Sequence, residues 1–182
     1  MERMTVTEAL AEIELIEKKV EKKAAVIMAN LSRYEHQNDP YVKEDDGASG
    51  MLKREYQSMQ DHWGRLIKFR EAIAKANVDN SITVEGITKS ISQWLAWKRD
   101  VQDDHITHLA NIVKTVEAAI KEDDRSPKVM RNAETNATHL AKLVWNVQLP
   151  DVRKQQEHLL TIKEKLDGQL SLKNATIVVS ID

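Results

Sequence analysis

The sequence predicts a mainly α protein: an antiparallel four-helix bundle with a small accessory β-sheet that includes the C-terminal strand. Three observations carry this. Apolar residues recur three or four apart over long stretches, the spacing that lines one face of a helix. Glycine and proline are scarce, 5 and 3 among 182 residues, against roughly 12% in ordinary proteins, which disfavours linker-rich chains and turn-dense barrels. The run Ala175 to Ile181, by contrast, is made of strong strand formers. The length suits one domain over residues 1–182, with a mobile loop at 32–50 and a strand at 175–181.

The elements follow in order. Thr5 and Glu8 have the spacing of a capping box, in which each side chain satisfies a free N–H of the other at a helix start. From there Val6, Leu10, Ile13, Ile16, Val20, Ala24, Ile27 and Leu31 form a stripe, with Glu17, Lys18, Lys19, Glu21, Lys22 and Lys23 opposite. A helix over about residues 6–31 is expected. Residues 32–50 hold Asn38-Asp39-Pro40 and an acidic, glycine-containing run from Glu44, which favours turns. A second helix carries Leu52, Tyr56, Met59, Trp63, Leu66 or Ile67, and Ile73 on its inner face, with Trp63 expected in the core, and ends near Asn77.

Residues 80–86 switch to period two and read as a short strand or one arm of a hairpin. Thr88 or Ser90 can cap a third helix reaching about Glu122, with Ile91, Leu95, Leu109, Ile112, Val116 and Ile120 as its stripe. Between Lys98 and His105 only Val101 is apolar, so the helix there is exposed, kinked or packed on polar groups of a partner. Residues 128–149 read as two strands, with a helical turn through Leu140, Leu143, Val144 and Val147 as the alternative. Pro150-Asp151 opens a last helix with Val152, Leu159, Ile162, Leu166 and Leu170 on one face. The terminal strand needs a partner, either Ile82 to Gly86 or a neighbouring chain, because an isolated strand leaves its backbone groups unpaired.

Charge and composition limit the function. With 27 basic and 29 acidic residues, net −2, there is no basic surplus of the kind that grips nucleic acid, and no nucleic-acid partner is expected. Cysteine is absent, which excludes disulfides, thiolate metal sites and cysteine nucleophiles. The longest apolar stretch, Ala24 to Ala29, is far short of the ~20 residues of a spanning helix, and Met1 to Leu10 has no signal-peptide core. No membrane partner is expected, and the virion or the cytoplasm is the expected location.

Motifs that carry chemistry are sparse. The five glycines form neither a nucleophile elbow nor a phosphate-cradling loop. Glu44-Asp45-Asp46 are adjacent rather than alternating, so they read as solvated loop charge rather than a calcium loop. His105 and His108, three apart beside Asp104, can offer a metal two imidazoles and a carboxylate, but they lack the Glu of an H-E-x-x-H motif and read first as a solvated helix face. No metal or other cofactor is expected. Trp94 and Trp97, followed by Lys98 and Arg99, either fill the core, the commoner use of a buried tryptophan, or stand exposed with the composition of an interface anchor. Together with Ile177 and Val179 of the terminal strand, Trp94, Trp97 and Arg99 are the expected interface residues.

The stretch Leu66 to Asn77, then Ile82 to Gly86, then Ser90 to Asp100, with the opening Thr7-Glu8-Ala9-Leu10, resembles the septicolysin-like family of small helical bacterial proteins over about the first hundred residues. The segment Leu166 to Ser171, followed by Asn174 to Ile181, is similar to the ends of uncharacterised bacteriophage-encoded proteins. The family name implies pore formation, and the resemblance supplies no catalytic residues. The expected function is therefore a non-enzymatic structural or assembly protein acting through protein–protein contacts, as a homo-oligomer or larger assembly. Its specific form is a bacteriophage virion component, a capsid or tail accessory protein. The alternatives are a small cytoplasmic metal-binding protein or metal-dependent hydrolase using His105, His108 and Asp104, and a pore-forming septicolysin-like protein.

Overall fold

The computed structural model describes residues 2–43, 46–131, 138–141 and 144–181. In chain order its elements are β1 (Glu2–Thr5), α1 (Val6–Ala29), α2 (Gly47–Asp79), β2 (Ser81–Val84), β3 (Ile87–Ser90), α3 (Ile91–Asp100), α4 (Gln102–Arg125), β4 (Val129–Arg131), β5 (Thr138–Leu140), α5 (Leu149–Asn174) and β6 (Val178–Ile181). The chain is mainly helical, with small antiparallel sheets that include the C-terminal strand. It divides into two compact units, residues 1–81 with 170–182, and residues 82–169.

The first unit is a helical hairpin with a two-stranded sheet. Thr5 caps α1 as its spacing predicts: its hydroxyl accepts from Glu8 N–H at 3.2 Å, and the Glu8 carboxylate accepts from Thr5 N–H at 2.7 Å. Val6, Ala9, Ile13 and Ile16 of α1 are buried, and Val20, Lys23 and Ile27 continue the line half-buried. On α2 the matching line is Glu55, Met59, His62, Leu66, Phe69, Ile73 and Ala76, with Phe69 fully buried. Spacing that alternates three and four is the seam of a coiled pair of helices. The ion pairs Lys23–Glu55 at 2.7 Å and Arg70–Glu17 at 2.8 Å run in opposite sequence directions, so the pair is antiparallel.

The expected stripes hold at Val6, Ile13, Ile16, Val20 and Ile27 of α1 and at Met59, Leu66 and Ile73 of α2, and depart from the seam by one residue at single positions. Leu10, Tyr56 and Trp63, read from the sequence as inward, are 44%, 51% and 43% exposed, while Ala9, Glu55 and His62 stand on the packed line. Apolar residues occupy two adjacent columns of each helix, so periodicity alone does not choose between them. The Lys23–Glu55 pair shows how a charged residue can occupy the seam, each side chain finding its partner across it.

The terminal strand is paired within the chain, and its partner is not the segment Ile82 to Gly86. β6 runs antiparallel to β1, with Glu2 opposite Ile181 and Thr5 opposite Val178. Its residues alternate as a half-buried strand must: Val179 and Ile181 are buried and Val178 is 54% exposed. In place of one small sheet there are three two-stranded sheets among the described residues.

The loop from α1 to α2 is shorter than expected, because α2 begins at Gly47. The cap residue Asp46 makes no side-chain capping bond, and Asp39 from the loop takes that role: its carboxylate accepts from Ala48 N–H at 3.0 Å and from Tyr41 N–H at 2.8 Å. These donors, Ala48 first, hold the Asp39 carboxyl below its ordinary value of 3.8. A depressed carboxylate contributes stability that is present above its unfolded pKa and lost as pH falls through the folded value. The Ala48 amide resonance is therefore expected to titrate with a midpoint below 3.8, and Asp39→Asn should abolish that titration. An Ala48 amide that titrates identically in both proteins would remove Asp39 as the cap.

The second unit opens with a tight hairpin. β2 and β3 pair around Glu85 and Gly86, both at positive φ, 49° and 78°, the conformation a two-residue type I′ turn requires. Glu85 pairs with Lys165 of α5 at 2.5 Å. Ser90 caps α3 through Gln93 N–H at 3.2 Å, and the Gln93 side chain accepts from Ser90 N–H at 3.0 Å. Trp94 is 1% exposed and donates its indole N–H to the Ile82 carbonyl at 3.2 Å, which fixes the hairpin to the helix.

The single third helix expected from Ser90 to Glu122 is broken at Val101 into α3 and α4. Lys98 and His105 fall on the same helical stripe as Ile91, Trp94, Leu109 and Val116, and both are exposed. Over that turn nothing apolar holds the helix axis to the core. Among the residues expected along the third stripe, Leu95, Ile112 and Ile120 are 40%, 40% and 36% exposed rather than buried. Within this unit α5 contributes Val152, Ile162 and Leu166 to the core, and Lys163–Asp103, Lys98–Asp167 and Arg153–Glu117 pairs fix its register. The two strands expected within 128–149 are β4 and β5, with Val129 opposite Leu140. Leu143 of the alternative helical turn lies outside the described residues, as do Glu44 and Asp45 of the acidic run.

Candidate protein-binding surface

The residues singled out in the sequence are distributed as follows. Trp94, expected at an interface, is instead in the core of its own unit, because its indole satisfies the hairpin carbonyl and its faces are covered. Lys89 Nζ lies 4.9 Å from its ring centroid. Trp97 is half-buried and meets Trp94 edge-on at 5.7 Å. Arg99 is exposed, but its guanidinium is forked on Asp100, both bonds 2.7 Å, so an outside partner must compete with that pair. Ile177 and Val179 are 8% and 4% exposed and belong to the first unit's own core, a correction that follows from the pairing of β6 with β1.

His105, His108 and Asp104 are exposed at the start of α4. Among the described residues no three His, Asp or Glu side chains converge as a metal site requires. Asp103 beside them is taken by Lys163 at 2.9 Å, which with Gln102 lowers its carboxyl below the ordinary value. No helix among the described residues is long and apolar enough to cross a membrane.

A surface that the sequence reading placed inside stands outside. In the first unit the β1–β6 sheet lies along one side of α2, where Ala72, Lys75, Asp79 and Asn80 line a cleft with Ile177 to Ser180, and Arg65 pairs with Glu2 at 3.0 Å. The other flank of the hairpin is open. It presents Leu10 of α1 and Tyr56, Trp63 and Ile67 of α2, between 43% and 64% exposed. A groove of ≈ 290 Å³ between the helices on this flank is lined by Leu10, Ile13, Arg70, Ile73, Ala74 and Asn77. In the second unit a shallower apolar face of α4 is formed by Ile112 and Val116 beside His108, Asn111 and Thr115. Part of the signal for the flank is in the sequence: Leu10 on α1 and Tyr56 and Trp63 on α2 are large apolar residues one position from the seam residues Ala9, Glu55 and His62.

Comparison with protein-family models, with curated proteins and with solved structures gave no match.

Proposed function

We propose that this chain is a non-enzymatic structural protein that works by assembling with itself, in a symmetric oligomer or a larger shell. The observation that carries the reading is the set of large apolar side chains left open on the helical hairpin, Leu10, Tyr56, Trp63 and Ile67, between 43% and 64% exposed. Trp, Tyr, Ile and Leu on one exposed face are the composition of an interface core rather than of a solvated surface. Net charge of −2 sets no barrier between copies.

The narrower setting, a bacteriophage capsid or tail accessory protein, rests on the likeness of Leu166 to Ile181 to the ends of phage-encoded proteins. In this reading the four-helix arrangement for which the apolar stripes are patterned is completed on assembly. Sedimentation equilibrium of the full chain is the test. A mass above 20.8 kDa that rises with concentration is expected, and a single-chain mass throughout the micromolar range and above would overturn the reading.

A further inference from the structure

The terminal strand has two edges, and the chain uses one of them. In an antiparallel ladder alternate residues turn both backbone groups toward the partner strand, and those between turn them away. The Val6 N–H donates to the Ile177 carbonyl at 2.9 Å, and these two residues continue the register that sets Thr5 opposite Val178. That fixes the phase: Ile177, Val179 and Ile181 address β1, while Val178 and Ser180 direct their N–H and C=O groups outward. On β1 the matching outward donor is taken, because Thr5 N–H donates to the Glu8 carboxylate at 2.7 Å. On β6 nothing among the described residues bonds the backbone of Val178 or Ser180.

The free edge opens into a cleft of ≈ 270 Å³ that it shares with α2. Four consecutive strand residues, Ile177 to Ser180, line it, as an edge does; a face shows every second residue. The opposite wall holds Ala72 and Ala76, whose methyl groups leave it open, with Lys75 and Asp79, both exposed and in no ion pair among the described residues.

We propose that this edge is the docking site for an extended segment of a partner polypeptide, which adds to β6 as a third strand and lays its inward side chains along α2. This goes beyond self-assembly and does not depend on it. The outward groups of Val178 and Ser180, about 6.8 Å apart, match the two-residue repeat of an extended chain. The segment's side chains on the side of Ile177 and Val179, both buried, face α2. They too recur every ~6.8 Å, close to the ~6 Å that four residues span on a helix, so an acid and a base two positions apart meet Lys75 and Asp79 together. The cleft is smaller than the ~300–1,000 Å³ of pockets that enclose a small ligand, which suits single side chains. A second copy entering by the same edge would bring its own α2 into the space that α2 fills; a lone extended segment brings no such wall.

The probe is a capped hexapeptide of threonine and valine with one glutamate and one lysine two residues apart, added to the full chain. Hydrogen exchange at the Val178 and Ser180 amides is expected to slow at least ~10-fold, and a peptide N-methylated at alternate residues, which lacks the donors of a strand, should leave it unchanged. Ser180→Pro removes one outward N–H and no bond to β1, so exchange over residues 2–16 should hold while the peptide's dissociation constant rises at least ~10-fold. Should that variant lose the protection of β1, Lys75→Glu, an exposed substitution, carries the test with binding at least ~3-fold weaker. Amides at Val178 and Ser180 that are unmoved by millimolar peptide, or moved equally by the N-methylated one, would overturn the proposal. So would protection of both amides in the protein alone that grows with its concentration, which would give the edge to a second copy.

Discussion

Trp94→Ala is expected to destabilise the second unit by about 3–5 kcal/mol, the range for removing a large aromatic from a core. The side chain is 1% exposed, and its indole N–H satisfies the Ile82 carbonyl at 3.2 Å. Its loss leaves a cavity beneath the hairpin and an unpaired carbonyl at once. The inward residues Ile82, Val84 and Ile91, at 7%, 2% and 1% exposure, have little else to hold them, since a two-stranded hairpin is marginal alone. Trp94→Phe keeps most of the volume and loses the hydrogen bond, so a smaller cost, about 1–2 kcal/mol, should follow. Urea unfolding with hydrogen exchange over residues 82–100 measures both. A Trp94→Ala protein that loses under about 1 kcal/mol would mean that the hairpin is held by something else.

Removing residues 177–182 should be as severe for the first unit. Ile177, Val179 and Ile181 are each at most 8% exposed, and withdrawing three such side chains costs on the order of 5 kcal/mol, comparable to the whole stability of a small domain. β1 would lose its only strand partner among the described residues, and the Val6 N–H, now bonded to the Ile177 carbonyl at 2.9 Å, would lose its acceptor. Hydrogen exchange should therefore collapse over residues 2–16 and 66–79 while α3 keeps its protection. Exchange unchanged in those segments, with a fall in oligomeric mass, would return the strand to the role of an interface.

The parts legible in the sequence are those fixed by local chemistry. The capping box at Thr5 is set by residues three apart, Ser90 is one of the two caps expected for the third helix, and the polar gap from Lys98 to His105 holds the place where that helix breaks. Strand propensity located β6, but β1 was not legible: Glu2-Arg3-Met4-Thr5 has no strand pattern and becomes a strand only because β6 lies beside it. The candidate surface was half legible. Tyr56 and Trp63 were recognised as apolar and helical, yet assigned inward, because a stripe read from one helix cannot say which of two adjacent columns its neighbour selects. Phe69, fully buried under Arg65, whose guanidinium lies 5.4 Å from the ring centroid, was missed for the same reason. Trp94 was misplaced outward because a tryptophan beside basic residues has the composition of a binding anchor whether or not a carbonyl waits for its indole.

The chain order of the two units sets a timetable for the nascent protein. Residues 82–169 are an unbroken segment inserted between the helical hairpin and β6, so they can close on themselves as they leave the ribosome. The hairpin cannot be completed until Glu2 meets Ile181. At 5–20 residues per second, the interval between synthesis of α2 and of β6 is roughly 5–20 s. During that time the hairpin's greasy residues stand unsheltered on a growing polypeptide, next to identical ones on the same message. Chaperone capture and pairing between neighbouring translation products would both be at their most favourable in that window.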